Sequence, residues 1–249
     1  MEGHAYLGEL AAAFIYLVVG ARLLRLASRT GELPERLLGA MFLVTGTAYA
    51  VYVLPVVFDS ESLWTPLNFA GRVLFLPAPV ILAVFTQRVF RAESAWAAWL
   101  VRGCATLLVV GVAGSALQGD WEGFSISSPW FWLEWSGYTI PYAWAGAESL
   151  IQYGKARRRM QVGLCHALVC NRYLLWGLFG MTAVMVSLLI PLQYAAFARE
   201  NVFNATWDSL IGAGEIVSIA LIWLVFFPPV PYRQWITGIA TRANATEGS

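Results

Sequence analysis

The fold is decided by an apolar stretch at residues 64–87, WTPLNFAGRVLFLPAPVILAVFTQ. These 24 residues include a single charged one, Arg72. A helix needs about 20 apolar residues to cross the hydrocarbon core of a bilayer, and a helix satisfies its backbone hydrogen bonds within the segment. The stretch therefore predicts a membrane-spanning helix that carries one cation inside the membrane.

Six similar runs surround this stretch, at residues 6–27, 37–58, 96–117, 128–154, 167–194 and 207–227. The chain of 249 residues is 59% hydrophobic and 12% charged, whereas soluble domains are about 45–50% apolar and about 25% charged. This composition excludes a soluble enzyme, a nucleic-acid-binding domain and a disulfide-stapled secreted module. It predicts an all-α, multi-pass integral protein of the plasma membrane with seven transmembrane helices and the lipid bilayer as its surroundings.

Basic and acidic loops alternate along the chain. Basic residues lie in or beside the odd loops and in the tail: Arg22, Arg25, Arg29, Arg36, Arg88, Arg91, Lys155, Arg157, Arg158, Arg159, Arg233 and Arg242. The even loops contain Asp59, Glu61, Asp120, Glu122, Glu200 and Asp208. Because cytoplasmic loops are enriched in Lys and Arg, the N-terminus is predicted outside and the C-terminus inside. Residues 228–249 are then a cytoplasmic tail, with a short interfacial segment at 232–239.

An internal repeat divides the single membrane domain, residues 1–249, into a parallel 3+1+3 arrangement. The predicted units are repeat one at about 6–90, a linker helix at 96–117 and repeat two at about 128–227. The matched positions are Tyr16 with Tyr142, Gly20 with Gly146, Arg36 with Arg172, Pro55 with Pro191, Trp64 with Trp207 and Arg72 with Glu215. Parallel repeats of this kind occur in transporters. The alternative is that membrane helices share these residue types without duplication.

The layout resembles that of microbial rhodopsins, heptahelical receptors and the sugar-transporting SWEET proteins. A rhodopsin would need a lysine in the seventh helix for its retinal. The only lysine is Lys155, in a predicted inner loop, so retinal is excluded. The first helix lacks the proline of the SWEET pattern, and the Pro-Gln pair of the related PQ-loop transporters is absent.

Arg72 and Glu215 are predicted to form an intramembrane ion pair. Each lies eight residues after the tryptophan that begins its run, and at about 1.5 Å per residue both are about 12 Å below the outer interface. Opposite charges at one depth should pair, since an unpaired charge in the membrane is costly. Asn68 and Ser218 share helical faces with the two charges, which suggests a cavity wall. The alternative is an inter-repeat lock without a ligand.

The fifth run places Glu134, Tyr138, Pro141 and Glu148 on one helical face. Glu148 is too short to reach the interface easily, so we expect it to need a partner. The third run contains Pro77 and Pro79, and a kink is expected just after Arg72. The predicted ligand-binding or gating residues are Arg72, Glu215, Asn68, Ser218, Tyr138 and Glu148.

Catalytic motifs, metal-ligand patterns and cofactor motifs are missing from the sequence, so we expect no catalytic residues, metal or cofactor, and an enzyme is the less favoured interpretation. The favoured hypothesis is a receptor-like or sensory protein with a small-molecule ligand between helices 3, 5 and 7 and a membrane or cytoplasmic protein partner. The alternatives are a small-solute transporter that rocks two three-helix repeats, and an accessory subunit of a membrane complex. An accessory role would place Gly103, Gly111 and Gly114 toward lipid.

Overall fold

A computed structural model describes residues 5–58, 60–123, 125–200 and 205–247, and within these ranges regular structure is entirely helical. The helices are α1 Ala5–Thr30, α2 Leu33–Val57, α3 Trp64–Phe75, α4 Pro77–Phe90, α5 Ala95–Leu117, α6 Pro129–Gln161, α7 Ala167–Glu200, α8 Ala205–Phe226 and α9 Val230–Glu247, with a short 3₁₀ turn at Glu61–Leu63. The predicted all-α class is confirmed.

Six helical segments are long and apolar enough to cross a membrane, as expected of a multi-pass membrane protein. They are α1, α2, α3 with α4, α5, α7 and α8. The remaining predicted span, 128–154, forms part of α6 but is less apolar, because this helix is rich in Trp, Tyr and Gly and contains two buried carboxylates, Glu134 and Glu148. The surroundings of α6 explain how such a sequence is accommodated, since α6 packs against α4, α5 and α7.

The helices form a closed ring. Going around it, α1 packs on α2, α2 on α3 and α4, α4 on α6, α6 on α7, α7 on α8, and α8 again on α1. Helix α5 lies outside this ring against α4 and α6. The lipid-facing glycine seam that the accessory-subunit alternative predicts for α5 is wrong at two of its three positions, because Gly111 and Gly114 face Glu134 and Trp130 of α6 while Gly103 is open.

The third apolar run is broken where its prolines predict. Helix α3 ends at Phe75 and α4 begins at Pro77, the first helical position, where the missing N–H of proline is tolerated. The amide of Leu76 bonds to the carbonyl of Val73, 3.3 Å away, in a tight turn between the two helices. The break follows Arg72 by four residues, and Leu76 between the two helices keeps helical dihedral angles, with φ −47° and ψ −43°.

A cluster of aromatic side chains fills the ring between α2, α4, α7 and α8. The rings of Phe42 and Trp176 meet edge to face at 6.1 Å, and Phe85 and Phe226 complete the cluster around them. Phe42 is fully buried. Edge-to-face contacts add to the energy of burial, so this core closes the ring across its section.

The helix in the tail is longer than the predicted segment at 232–239. It is α9, which extends from Val230 to Glu247. It packs on α7, where the Tyr232 hydroxyl and the Asn171 side chain exchange hydrogen bonds of 2.9 and 3.1 Å. Helix α6 is also longer than its apolar run, and its last two turns carry Lys155 and three arginines. Ser128 caps its other end by accepting a hydrogen bond from the Trp130 amide.

Glycines allow α6 and α7 to approach backbone to backbone. A Cβ atom on Gly180 would lie 2.6 Å from Gly146 Cα and 2.9 Å from the Tyr142 carbonyl oxygen. Gly180→Ala should therefore force the two helices apart and lower the free energy of unfolding by about 1–3 kcal/mol. The measurement is the melting temperature of the purified protein in detergent.

Gly154→Ala is the matched control for Gly180→Ala. Gly154 is also helical, but a Cβ atom there meets nothing within 4 Å, and alanine is the better helix former. This variant should melt at or above the wild-type temperature. Equal melting temperatures for the two variants would contradict the proposed close contact.

Candidate functional site

A cavity of about 480 Å³ lies inside the ring. With α3 and α4 counted as one segment, all six segments of the ring contribute to its walls. The α5–α6 loop at residues 118–128 contributes as well, through Glu122 and Gly123. Tyr16 and Phe179 belong both to these walls and to the aromatic core, so the core forms the floor of the cavity. Five of the six predicted site residues line it: Arg72, Glu215, Asn68, Ser218 and Tyr138.

The predicted Arg72–Glu215 ion pair is wrong, because Arg72 pairs with Glu134 on α6. Its Nε donates to both carboxylate oxygens of Glu134, at 2.8 and 3.1 Å, and its Nη2 also donates to Oε2. Both side chains are nearly inaccessible, with exposed fractions of 6% and 8%. Such a two-pronged pair matches the planar geometry of guanidinium and carboxylate, and it joins α3 to α6, which share few other contacts.

The remaining Arg72 donor holds the α5–α6 loop over the cavity. Nη1 donates to the carbonyl oxygens of Asp120 and Trp121, at 3.2 and 3.1 Å. The Asp120 carboxylate in turn accepts from the amides of Gly123 and Ser125. Gly123 has a φ of +77° and lies directly against the guanidinium, a conformation and proximity that favour glycine.

Two further contacts join this loop to α3. The Thr65 hydroxyl donates to Glu122 Oε1 at 2.7 Å, and the rings of Phe69 and Trp121 meet edge to face at 5.1 Å. The loop is thus attached to α3 by a charge, a hydroxyl and an aromatic pair. It forms part of the cavity wall with a defined geometry.

Glu215 lies on α8, which is opposite the α3–α4 segment in the ring order and separated from α6 by α7. Its Oε1 accepts a hydrogen bond of 3.1 Å from the Tyr49 hydroxyl. Among the described residues, its carboxylate has no ion pair. The only cationic side chain among the described cavity residues is Arg72, which Glu134 already neutralises.

The other predicted residues have simpler surroundings. Asn68 donates from Nδ2 to the Trp64 carbonyl oxygen, 3.0 Å away and one turn earlier on α3. Tyr138 stacks obliquely on Phe75, with 5.3 Å between ring centroids. Ser218 is buried one turn after Glu215 and borders the same cavity.

Glu148 is not among the described residues that line the cavity. Its Oε1 accepts from Arg91 Nε at 2.7 Å and from Trp144 Nε1 at 3.4 Å, so the expected partner is found. The carboxylate is buried, while Arg91 is half-exposed in the α4–α5 connection. The hydrogen bond and charge of Glu148 raise the pKa of Arg91, and the guanidinium therefore stays cationic while it joins α6 to that connection.

The sequence predicts the wrong partner for Arg72 because the predicted depth in the membrane is that of the Cα atom, counted along the helix backbone. An arginine side chain is long enough to carry its charge to a different level from its Cα atom, and Arg72 extends toward the loop. Glu134 was recognised on the polar face of the fifth run, five residues after the first residue of α6. That position near a helix start was the available signal for a partner within reach of an extended arginine.

A second cavity of about 470 Å³ lies where α1, α7 and α8 meet the start of α9. Three arginines border it, Arg22, Arg172 and Arg233. The Arg22 guanidinium also lies over the Phe227 ring, 4.2 Å from its centroid. This end of the bundle is therefore basic, in contrast with the acidic main cavity.

The described residues contain no cluster of three or more His, Cys, Asp or Glu that would hold a metal ion. The chain matches no protein-family model, no curated protein and no solved structure.

Replacing Arg72 by leucine should destabilise the protein strongly, because it leaves the Glu134 carboxylate buried without a counter-charge. Breaking a buried pair in this way costs about 3–5 kcal/mol. The double variant Arg72→Leu, Glu134→Leu removes both charges and should recover part of the loss. Melting temperature in detergent measures both effects.

The control for this cycle is Arg72→Leu combined with Glu215→Leu. It removes the same number of charges from the same cavity but leaves Glu134 unpaired, so it should recover nothing. Recovery as large as in the Glu134 double variant would show that Glu215 is the energetic partner of Arg72.

Alanine substitutions at Gly123 and Gly119 separate the energetic cost of backbone strain from the cost of contact with the Arg72 guanidinium. Both have positive φ, +77° and +82°, but only a Cβ atom on Gly123 would meet Arg72, at 2.5 Å from Cζ. Gly119→Ala should cost about 1–2 kcal/mol from left-handed backbone alone. Gly123→Ala should lower the melting temperature further, and equal losses would mean that the loop does not depend on Arg72.

Proposed function

We propose that this protein is a receptor-like seven-helix membrane protein that binds a small molecule, without retinal, in the cavity between α3, α6 and α8. The observation that carries the proposal is the cavity itself. Its volume of about 480 Å³ lies within the roughly 300–1,000 Å³ of small-molecule sites. Its walls combine aromatic surface with a few polar groups, which is the usual composition of such sites.

The seventh span of this proposal is α6, which has 33 residues and a position in the ring between spanning neighbours. Its two buried carboxylates are matched by Arg72 and Arg91, so its low hydropathy does not imply unpaired charges in lipid. The alternation of basic and acidic loops supports an outside N-terminus. The cavity and its loop then face outside, and the basic end faces the cytoplasm.

The one-sided form of the cavity supports sensing. The α5–α6 loop borders it at one end, and the aromatic core of Phe42 and Trp176 closes the ring beyond its floor. A bound molecule would contact α6 and α7, and both helices continue to the basic α6–α7 connection. A ligand that favours one arrangement of these helices shifts their population, and a partner at the basic end would detect the shift.

A transporter is the second candidate, and the ring order favours it. If α1, α2 and α3–α4 correspond to α6, α7 and α8, the contact of α4 with α6 corresponds to that of α8 with α1. Two of the matched pairs, Tyr16 with Tyr142 and Arg72 with Glu215, also border the main cavity of about 480 Å³. This arrangement is compatible with two repeats that rock about a central site.

A thermal-shift screen of soluble metabolites tests the proposed function. A ligand at 100 times its Kd stabilises the folded state by about 2.7 kcal/mol, so binders should raise the melting temperature. Ala183→Phe adds a ring within the cavity wall and should abolish the shift. Ala113→Phe is the control, since Ala113 is exposed on α5. Failure of every compound, or equal shifts in both variants, would contradict the proposal.

A fluorescent label on Cys165 distinguishes the receptor hypothesis from the transporter hypothesis. Cys165 is half-buried in the α6–α7 connection, while Cys104 and Cys170 are buried. A fluorophore on Cys165 should change its emission when a receptor ligand binds. Uptake of the same compound into proteoliposomes, with no change at Cys165, would favour transport instead.

A further inference from the structure

Resting on the proposed function, we propose that the cavity binds a small soluble organic cation, an amine or quaternary ammonium compound, with Glu215 as its counter-ion. Three properties of the cavity point to this class of ligand: its charge, its aromatic wall and a buried hydroxyl for which the described residues offer no hydrogen-bond partner. Each comes from a different set of side chains.

The charges of the cavity do not balance among the described residues. Three carboxylates line it, Glu122, Glu134 and Glu215, against one guanidinium, Arg72. Glu134 is bound by Arg72, and Glu122 lies at the loop, where it accepts from Thr65. Glu215 therefore remains as an interior carboxylate that has no cation beside it in the part of the chain that the structure describes. A cavity of one sign attracts ligands of the other sign, so a cation is favoured and an anion is repelled.

An aromatic wall adjoins Glu215, made by Tyr16, Tyr49, Phe75 and Tyr138. Consecutive rings lie 5.9, 6.4 and 5.3 Å apart, and all four border the cavity. Tyr49 joins the wall to the carboxylate, because its hydroxyl donates to Glu215. Aromatic faces attract ammonium groups, and cages of aromatic rings are a common way to bind quaternary ammonium ions.

Thr45 supplies a polar contact on the same side. It lies one helical turn before Tyr49 on α2, borders the cavity and is 5% exposed. Among the described residues, its Oγ1 has no hydrogen-bond partner. Buried polar groups nearly always have a partner, so this hydroxyl is available to a polar group of a ligand. An alcohol or amine next to the cationic centre would satisfy it.

The test compares choline with 3,3-dimethyl-1-butanol, which has the same shape and hydroxyl but carbon in place of the charged nitrogen. Binding to the wild-type protein in a neutral detergent is followed by calorimetry and by intrinsic tryptophan fluorescence, to which the cavity residues Trp64 and Trp135 contribute. Choline should bind at least about tenfold more tightly, the equivalent of 1.4 kcal/mol. This comparison needs no variant and so does not depend on how a mutant folds.

Glu215→Gln removes the charge and keeps an oxygen that can accept from Tyr49. It should abolish the preference for choline and leave the affinity for 3,3-dimethyl-1-butanol unchanged. Glu93→Gln, at an exposed position in the α4–α5 connection, is the matched control and should bind both compounds like the wild type. Tyr49→Phe keeps the ring and the carboxylate, so the preference for choline should persist.

Equal affinities for the two compounds in the wild type would overturn the cation proposal, although the cavity would still bind small molecules. A preference for choline that survives in Glu215→Gln would also overturn it. Binding of neither compound would also overturn it, and the metabolite screen would then decide the proposed function separately. Glycerophosphocholine distinguishes a soluble cation from a lipid headgroup. Its phosphate would meet no free cation among the described cavity residues, so it should bind more weakly than choline, and equal or tighter binding would overturn the proposal.

Discussion

One buried ion pair, Arg72 with Glu134, organises the side of the bundle that contains the cavity. A guanidinium inside an apolar helix bundle requires both a counter-charge and acceptors for its remaining donors. Glu134 on α6 supplies the first, and the carbonyl oxygens of Asp120 and Trp121 supply the second. Satisfying a single side chain thus joins α3, α6 and the loop between α5 and α6.

The same pair determines the electrostatic character of the cavity. Because Arg72 is fully engaged by Glu134 and the loop, it cannot also balance Glu215 on α8. The positive end of the protein lies elsewhere, around Arg22, Arg172 and Arg233. Aromatic residues separate the two regions, since Tyr16 and Phe179 form the floor of the acidic cavity and also belong to the packed core. The molecule therefore has an acidic cavity and a basic cavity on opposite sides of the aromatic core.

The features predictable from sequence are those set by local composition. Apolar runs fixed the helix positions, Pro77 marked the break between α3 and α4, and the polar face of the fifth run held Glu134 and Glu148, both of which turned out buried. Five of the six candidate residues converged because helical spacing puts them on inward faces. The choice of partner was not predictable in this way. It depends on how far Arg72 extends along the helix and on a loop whose shape comes from Asp120 and Gly123, not from any periodic pattern.

The polarity of α6 has a consequence for how the protein is made. In the seven-span arrangement, this helix would partition poorly into lipid by itself, because tryptophan, tyrosine, glycine and two carboxylates replace the usual aliphatic residues. Arg72 and Arg91 are synthesised before it and α7 after it. Its entry into the bilayer should therefore depend on neighbouring helices that are held at the translocon. Biogenesis is then a cooperative event late in translation and not a series of independent insertions.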